Sequence, residues 1–191
     1  MNQPPPSYAA RLSVDYPTAE LDRLTSFFRL IWVIPIMIIS GLISNTLWVA
    51  TALMIATRQR YPRWWFDFSL ELTRFTTRVG IYIALLTDRY PSTVEEQALH
   101  LDVDYPNVER DLNRWLPLFK WLLAIPHYIV LWFVWLFVFI AVVIAWFAIL
   151  FTGTYPRSLF DFVVGAFRWT QRVNAYAFLL VTDAYPPFSL S

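Results

Sequence analysis

The chain carries one membrane-sized unit twice, and the second copy follows the first by about ninety residues. Leu12-Ser13-Val14-Asp15-Tyr16-Pro17 returns as Leu101-Asp102-Val103-Asp104-Tyr105-Pro106. Ile34-Pro35 returns as Ile125-Pro126, and Tyr61-Pro62 with Phe66-Asp67-Phe68 returns as Tyr155-Pro156 with Phe160-Asp161-Phe162. Arg74, Arg78 and Tyr82 return as Arg168, Arg172 and Tyr176, and Thr87-Asp88 before Tyr90-Pro91 returns as Thr182-Asp183 before Tyr185-Pro186. The order is the same in both copies. A duplication of this kind predicts two pseudo-symmetric halves with any central site between them.

The halves are too apolar for an ordinary soluble domain. Apolar residues make up 58% of the chain, against about half in soluble proteins, and they are bunched. Leu30–Thr57 carries no charge, and Trp121–Thr154 carries none apart from what His127 can take up. About 20 apolar residues cross a bilayer as a helix, so both runs are long enough. The ten Trp, ten Tyr and sixteen Phe suit broad interfacial belts. Of fifteen basic residues only Lys120 is lysine. Arginine suits lipid phosphate through its paired donors, although a GC-rich coding sequence gives the same bias. The absence of cysteine excludes disulfides, thiolate zinc sites and thiol nucleophiles. The polar, Pro-rich start has no apolar segment of signal-peptide type.

The expected architecture is an all-α membrane protein with pseudo-two-fold symmetry. Residues 1–10 read as a disordered tail, 11–91 as the first repeat, 92–100 as a polar connector and 101–188 as the second repeat. In each repeat a short strand, such as 11–16, is stopped by proline. A helical approach over 18–34 or 107–125 follows. Pro35 or Pro126 then bends the chain into a spanning helix, over 36–57 or 127–152. A second helix, over 64–87 or 158–182, is either an amphipathic helix in the interface or a second span. An even number of crossings per half puts both strands on one side, where they can pair; a single crossing puts them on opposite faces. With four crossings, Arg11, Arg23, Arg29, Arg89, Arg110, Arg114 and Lys120 lie on the strand side, against Arg58, Arg60, Arg63 and Arg157 opposite. Seven against four makes the strand side cytoplasmic.

The charged residues of the second helices are the candidate site. Asp67, Glu71, Arg74 and Arg78 are spaced by four, three and four, so they share a face. Asp161, Arg168 and Arg172 repeat the pattern. Two arginines four apart repel each other, so each pair needs compensation. One reading is a salt-bridge network between the halves, with Asp161 on Arg74 and Asp67 on Arg168. The other is an anion site for lipid phosphate or another anionic ligand. Asp88 and Asp183, at helix ends, should bind a backbone donor or an arginine, because a carboxylate there opposes the helix dipole. Asp15 and Asp104 read as strand ends bound to backbone amides. His127, just after Pro126, is a weak candidate for a cofactor ligand, with an interfacial hydrogen-bonding role as the alternative. His100 has no evident partner. Two histidines without cysteine do not build a transition-metal centre. No nucleophile motif, phosphate loop or dinucleotide fingerprint is present.

The stretch Leu150-Phe-Thr-Gly-Thr-Tyr-Pro-Arg-Ser-Leu-Phe-Asp-Phe162, then Phe167-Arg-Trp-Thr-Gln-Arg-Val-Asn-Ala-Tyr176, then Leu180-Val-Thr-Asp-Ala-Tyr-Pro-Pro-Phe188, resembles a bacterial family of multi-pass membrane proteins catalogued only as a domain of unknown function. The resemblance spans nearly all of 110–188. Residues 20–91 are similar more loosely: Ile36-Met37 stands where the second half has His127-Tyr128, and Gly80 stands for Asn174. It implies a membrane-embedded bacterial protein, often with tandem copies, and lends no catalytic residue.

The functional expectation is a non-enzymatic protein of the bacterial inner membrane, without cofactor or nucleic-acid partner. It would self-associate or join a larger membrane complex, with arginine contacts to anionic lipid. The alternative is an oligomeric channel or transporter element with a charged path between the repeats.

Overall fold

The computed structural model describes residues 8–44, 47–93 and 97–191. In chain order the elements are β1 (Ala10–Val14), α1 (Arg23–Ser44), α2 (Leu47–Arg58), α3 (Arg63–Ile83), β2 (Leu99–Val103), α4 (Val108–Asp111), a 3-10 turn (Leu116–Leu118), α5 (Lys120–Leu123), α6 (Ile125–Thr152) and α7 (Arg157–Ala177). The molecule is mostly helical, with one two-stranded sheet rather than helices alone. Of the tail expected over 1–10, residues 1–7 lie outside the described residues; Ala10 already belongs to β1.

The two predicted strands are present and pair with each other. β1 and β2 are antiparallel, with Ala10 opposite Val103, Leu12 opposite Leu101 and Val14 opposite Leu99. Alternation puts Leu12, Leu99 and Leu101 into the core, while Arg11 and His100 face out. The pairing rules out the arrangement with the strands on opposite faces.

The pseudo-two-fold is also a crossing. Each strand arm packs on the helices of the other half. The Tyr16 hydroxyl donates to the Tyr155 carbonyl at 2.5 Å, and the Tyr105 hydroxyl donates to the Tyr61 carbonyl at 2.5 Å. Arg157 lies 4.6 Å over the Tyr16 ring and Arg63 lies 4.8 Å over the Tyr105 ring. Tyr16 meets Phe160 edge-on and Tyr105 meets Phe66 in the same way. Leu21 is accordingly buried with Ile149, Tyr155 and Phe160, and Leu112 with Ile55, Tyr61 and Phe66. Across the sheet ends Arg11 pairs with Asp104 at 2.8 Å and His100 with Asp15 at 3.1 Å.

Helix boundaries depart from expectation around the prolines. The first half does not divide at Pro35 into a helix over 18–34 and a span over 36–57. It forms α1 through position 35 to Ser44, and then α2. A proline within a helix costs one hydrogen bond and does not oblige the helix to stop. In the second half, Pro126 opens α6 rather than bending a longer helix, because a missing N–H costs nothing in the first turn. The approach expected over 107–125 is three short turns. There Asn113 turns the chain, its side-chain oxygen accepting from the amides of Trp115 and Leu116.

Among the described residues one helix, α6, is long and apolar enough to cross a membrane. At about 1.5 Å per residue it exceeds a hydrocarbon core of about 30 Å. His127, Leu131, Val138, Ala141, Ala145 and Ile149 form its buried face. The opposite face, with Trp132, Phe139 and Phe151, is equally apolar and exposed.

The crossed tyrosines generate a prediction. Tyr16→Phe and Tyr105→Phe should each lower unfolding free energy by about 1 kcal/mol, the typical worth of one hydrogen bond. The double variant should add nearly fully, since the sites are separate; denaturant titration in detergent measures both.

Candidate functional site

The amphipathic helices α3 and α7 place the candidate charges in matching positions, but not in a shared network. Asp67 pairs with Arg63 at 3.0 Å and Asp161 with Arg157 at 3.2 Å, each one turn away on its own helix. The expected cross-half pairs, Asp161 with Arg74 and Asp67 with Arg168, are therefore replaced by local ones. A partner at i,i+4 is already within reach, and the two arginines are occupied elsewhere.

All four arginines donate to backbone carbonyls. Arg74 Nε donates to the Leu101 carbonyl at 2.9 Å and Arg168 Nε to the Leu12 carbonyl at 3.1 Å, so each helix clamps the strand arm of the other half. Arg78 donates to the Ser92 carbonyl at 2.7 Å. Arg172, buried, donates to the Ser189 carbonyl at 3.4 Å and to that of Ser191. Arg168 also holds the Leu190 carbonyl, at 3.2 Å. Arg74 also faces two carboxylates: Glu71 at 2.5 Å and Asp102 at 3.6 Å. The planar guanidinium suits this work, since one group can span several acceptors. The compensation that the like-charge spacing demands thus comes from carbonyl dipoles more than from carboxylates.

His127 is fully buried. Its Nδ1 accepts from the Trp169 indole N–H at 3.1 Å, and its ring stacks on Phe188 with centroids 3.9 Å apart. That environment belongs to the packing of the C-terminal segment on α6 and α7. Among the described residues no group of three or more His, Asp or Glu side chains is placed to hold a metal ion.

A repeated site escaped the sequence reading. Arg29 and Lys120 occupy matching positions, and both are buried cations. Arg29 pairs with Asp88, donates to the carbonyls of Tyr82 and Thr87 at 2.9 Å, and lies 4.4 Å over the Tyr82 ring. Lys120 pairs with Asp183 at 2.7 Å, donates to the Thr182 carbonyl at 2.8 Å, and lies 5.3 Å over the Tyr176 ring. Burial lowers the Lys120 amine from its ordinary range, and Asp183 acts against that shift. The carboxylates do double duty. Asp88 accepts from the Asp22 amide at 2.7 Å, and Asp183 from the Asn113 amide at 2.6 Å. A buried cation also answers the carbonyls left open at a helix end. Three residues before these aspartates, Leu85 and Leu180 hold left-handed φ values of 63° and 59°, a strained conformation for leucine. Both halves keep this turn, and both fasten it with the same ion pair. The available signal was the single lysine standing where the first half has Arg29.

A family model for a domain of unknown function, DUF4389, matches residues 23–95 and again 114–189. The chain belongs to this family. It is a tandem DUF4389 protein, and each matched stretch contains its own cation–aspartate lock. The arms bearing β1 and β2 precede the matched stretches, so the crossing is made by segments outside the two DUF4389 units. Neither a curated protein nor a solved structure matches the chain.

Removing one partner of a buried pair leaves an uncompensated charge. Lys120→Met or Asp183→Asn should therefore cost about 3 kcal/mol of unfolding free energy. The joint variant Lys120→Met/Asp183→Leu should cost less than the sum of the single changes. A thermal or denaturant double-mutant cycle reads the coupling.

Proposed function

We propose that this tandem DUF4389 protein is a multi-pass protein of the bacterial cytoplasmic membrane that works without catalysis. It acts as a scaffold or accessory subunit that self-associates or joins a larger membrane assembly. The observation that carries the reading is the outer face of α6, where Trp132, Phe133, Phe137, Phe139, Phe147 and Phe151 are exposed. A surface helix of a soluble protein turns a polar face to water, and an apolar patch of this extent needs lipid or a partner to cover it. In this reading α2, α3 and α7 complete the embedded body beside α1 and α6, and the strand arms, which hydrogen-bond to the Tyr61 and Tyr155 carbonyls, lie against it.

Arginine contacts to anionic lipid fall in this reading to Arg58 and Arg60, exposed at and just beyond the end of α2. Arg74, Arg78, Arg168 and Arg172 are engaged by backbone carbonyls. A charged path between the repeats receives less support. Asp67 and Asp161 pair on their own helices, and α3 meets α7 through the Gln171 amide on Thr77 at 2.9 Å and through Phe167 against Gly80.

The expected outcome is retention in the membrane pellet after alkaline carbonate washing. Native mass spectrometry from nanodiscs should then give either a defined homo-oligomer or one copy bound to other subunits, and Arg58→Gln/Arg60→Gln should reduce co-purified anionic lipid. Release by carbonate, or a lone monomer, overturns the proposal.

A further inference from the structure

The two arms that cross between the halves differ in length. Tyr16 to Tyr105 is 89 positions and Ile34 to Ile125 is 91, so the second arm carries two more residues than the first. The first arm closes down on the turn between α6 and α7. The Leu21 amide donates to the Gly153 carbonyl at 2.9 Å, and the Glu20 carboxylate lies 3.0 Å from where a Cβ on Gly153 would sit. In the second arm the chain coils into α4, and the matching bond, from the Leu112 amide to the Gln59 carbonyl, is not formed. Gln59 stands where the other half has Gly153, with a left-handed φ of 47° against 74°. Its Cβ fills the place that Glu20 takes over Gly153, so Glu109, which matches Glu20, is denied that seat.

The result is a groove of about 620 Å³ between the α2–α3 turn and the second arm, within the size range of small-molecule sites, about 300–1,000 Å³. Gln59, Arg60 and Pro62 line it from the turn, and Tyr105, Asn107 and Glu109 from the arm.

The neighbouring cations are all engaged. Arg63 pairs with Asp67 at 3.0 Å and lies 4.8 Å over the Tyr105 ring. Arg110 pairs with Asp111 at 3.2 Å, and Arg114 donates to the Ala56 carbonyl at 2.7 Å and to that of Thr57 at 3.2 Å. Arg60 and Glu109 differ from these. Both are exposed, and among the described residues neither makes an ion pair or a side-chain hydrogen bond, with each other or with another group. A guanidinium and a carboxylate that share a groove without touching leave room for a guest that carries both signs of charge. The Tyr105 hydroxyl is already used on the Tyr61 carbonyl, and the Asn107 side-chain oxygen accepts from the Arg110 amide at 3.4 Å. The Asn107 nitrogen and the Gln59 amide remain as neutral donors.

We propose that this groove binds the phosphoethanolamine headgroup of an aminophospholipid. Arg60 takes the phosphate through its paired donors, and the Glu109 carboxylate accepts from the ammonium. A phosphate headgroup without an ammonium leaves Glu109 unmatched, and a choline group has no N–H to give it. The inference rests on the membrane reading above, in which the turn between α2 and α3 lies where the chain meets the headgroups; Arg58, which does not line the groove, is left for anionic lipid.

The test is native mass spectrometry of the full chain from nanodiscs holding dioleoylphosphatidylethanolamine and dioleoylphosphatidylcholine in equal amounts. The two lipids share their acyl chains and phosphate and differ in the N–H donors of the headgroup. The wild type should retain the ethanolamine lipid about ten-fold over the choline lipid, the contribution of one hydrogen bond to a charged group. Glu109→Gln should remove that preference. Arg60→Gln should lower retention of the ethanolamine lipid about ten-fold. Both variants should keep the wild-type melting temperature, since both side chains are exposed. Glu20→Gln, at the matching position of the first arm, should leave the preference intact. An undiminished preference in Glu109→Gln overturns the proposal, and soluble glycerophosphoethanolamine bound in detergent as tightly as the lipid overturns the assignment to a lipid. A wild type that enters nanodiscs but retains the two lipids equally overturns this inference alone; one that does not enter them overturns the membrane reading as well.

Discussion

Arg74 donating to the Leu101 carbonyl and Arg168 donating to the Leu12 carbonyl tie each helix pair to a strand from the other half. A two-stranded ribbon is marginal in water by itself. Here each strand is held along one edge by its partner and at a carbonyl by an arginine rising from the amphipathic helix of the opposite repeat. The tyrosine that ends each arm completes the hold. Because the arms cross, neither half can close its core alone: Leu21 completes the packing around Phe160 and Leu112 that around Phe66. The duplication has become one folding unit.

Inside that frame each DUF4389 unit keeps a private fastening. A buried cation, an aspartate and a left-handed leucine recur together at Arg29, Asp88 and Leu85, and at Lys120, Asp183 and Leu180. The strain at leucine is carried twice, which ties it to the turn rather than to chance. The buried charge is tolerable because carbonyls, a carboxylate and an aromatic face surround it. Arg29 and Lys120 differ in shape yet meet the same groups, so the position demands a positive charge more than a planar fork.

The halves part company where the fold does not need them to match. Phe167 packs edge-on against Trp135 in the second half, and Thr73 stands at the position matching Phe167 in the first. Gly80 and Asn174 occupy matching positions, and their exchange follows the packing across them: a ring from α7 needs the space that Gly80 leaves, whereas Thr73 leaves room for an amide. The sequence already showed Gly80 against Asn174, but not that the Phe167 ring lay against Gly80.

The repeat, the two strands, the amphipathic faces of α3 and α7 and the long apolar α6 were legible from the sequence alone, because each depends on local periodicity or on the recurrence of a motif, whereas the pairing of the strands came only with the structure. The partners of the charges were not legible either. Asp67 and Asp161 could reach either half by composition, and only the fold shows them on Arg63 and Arg157. The prolines marked places of change without saying that Pro126 would open a helix and position 35 would lie within one. Arg29 and Lys120 looked like flanking charges, since burial of a cation depends on which carbonyls and carboxylates the chain folds around it. The sequence by itself determined the doubling and the chemistry of each face, which follow from residues near one another in the chain. Tertiary structure alone decided that the arms cross and which charges are buried, because those outcomes depend on contacts between residues that the sequence separates by a large part of its length.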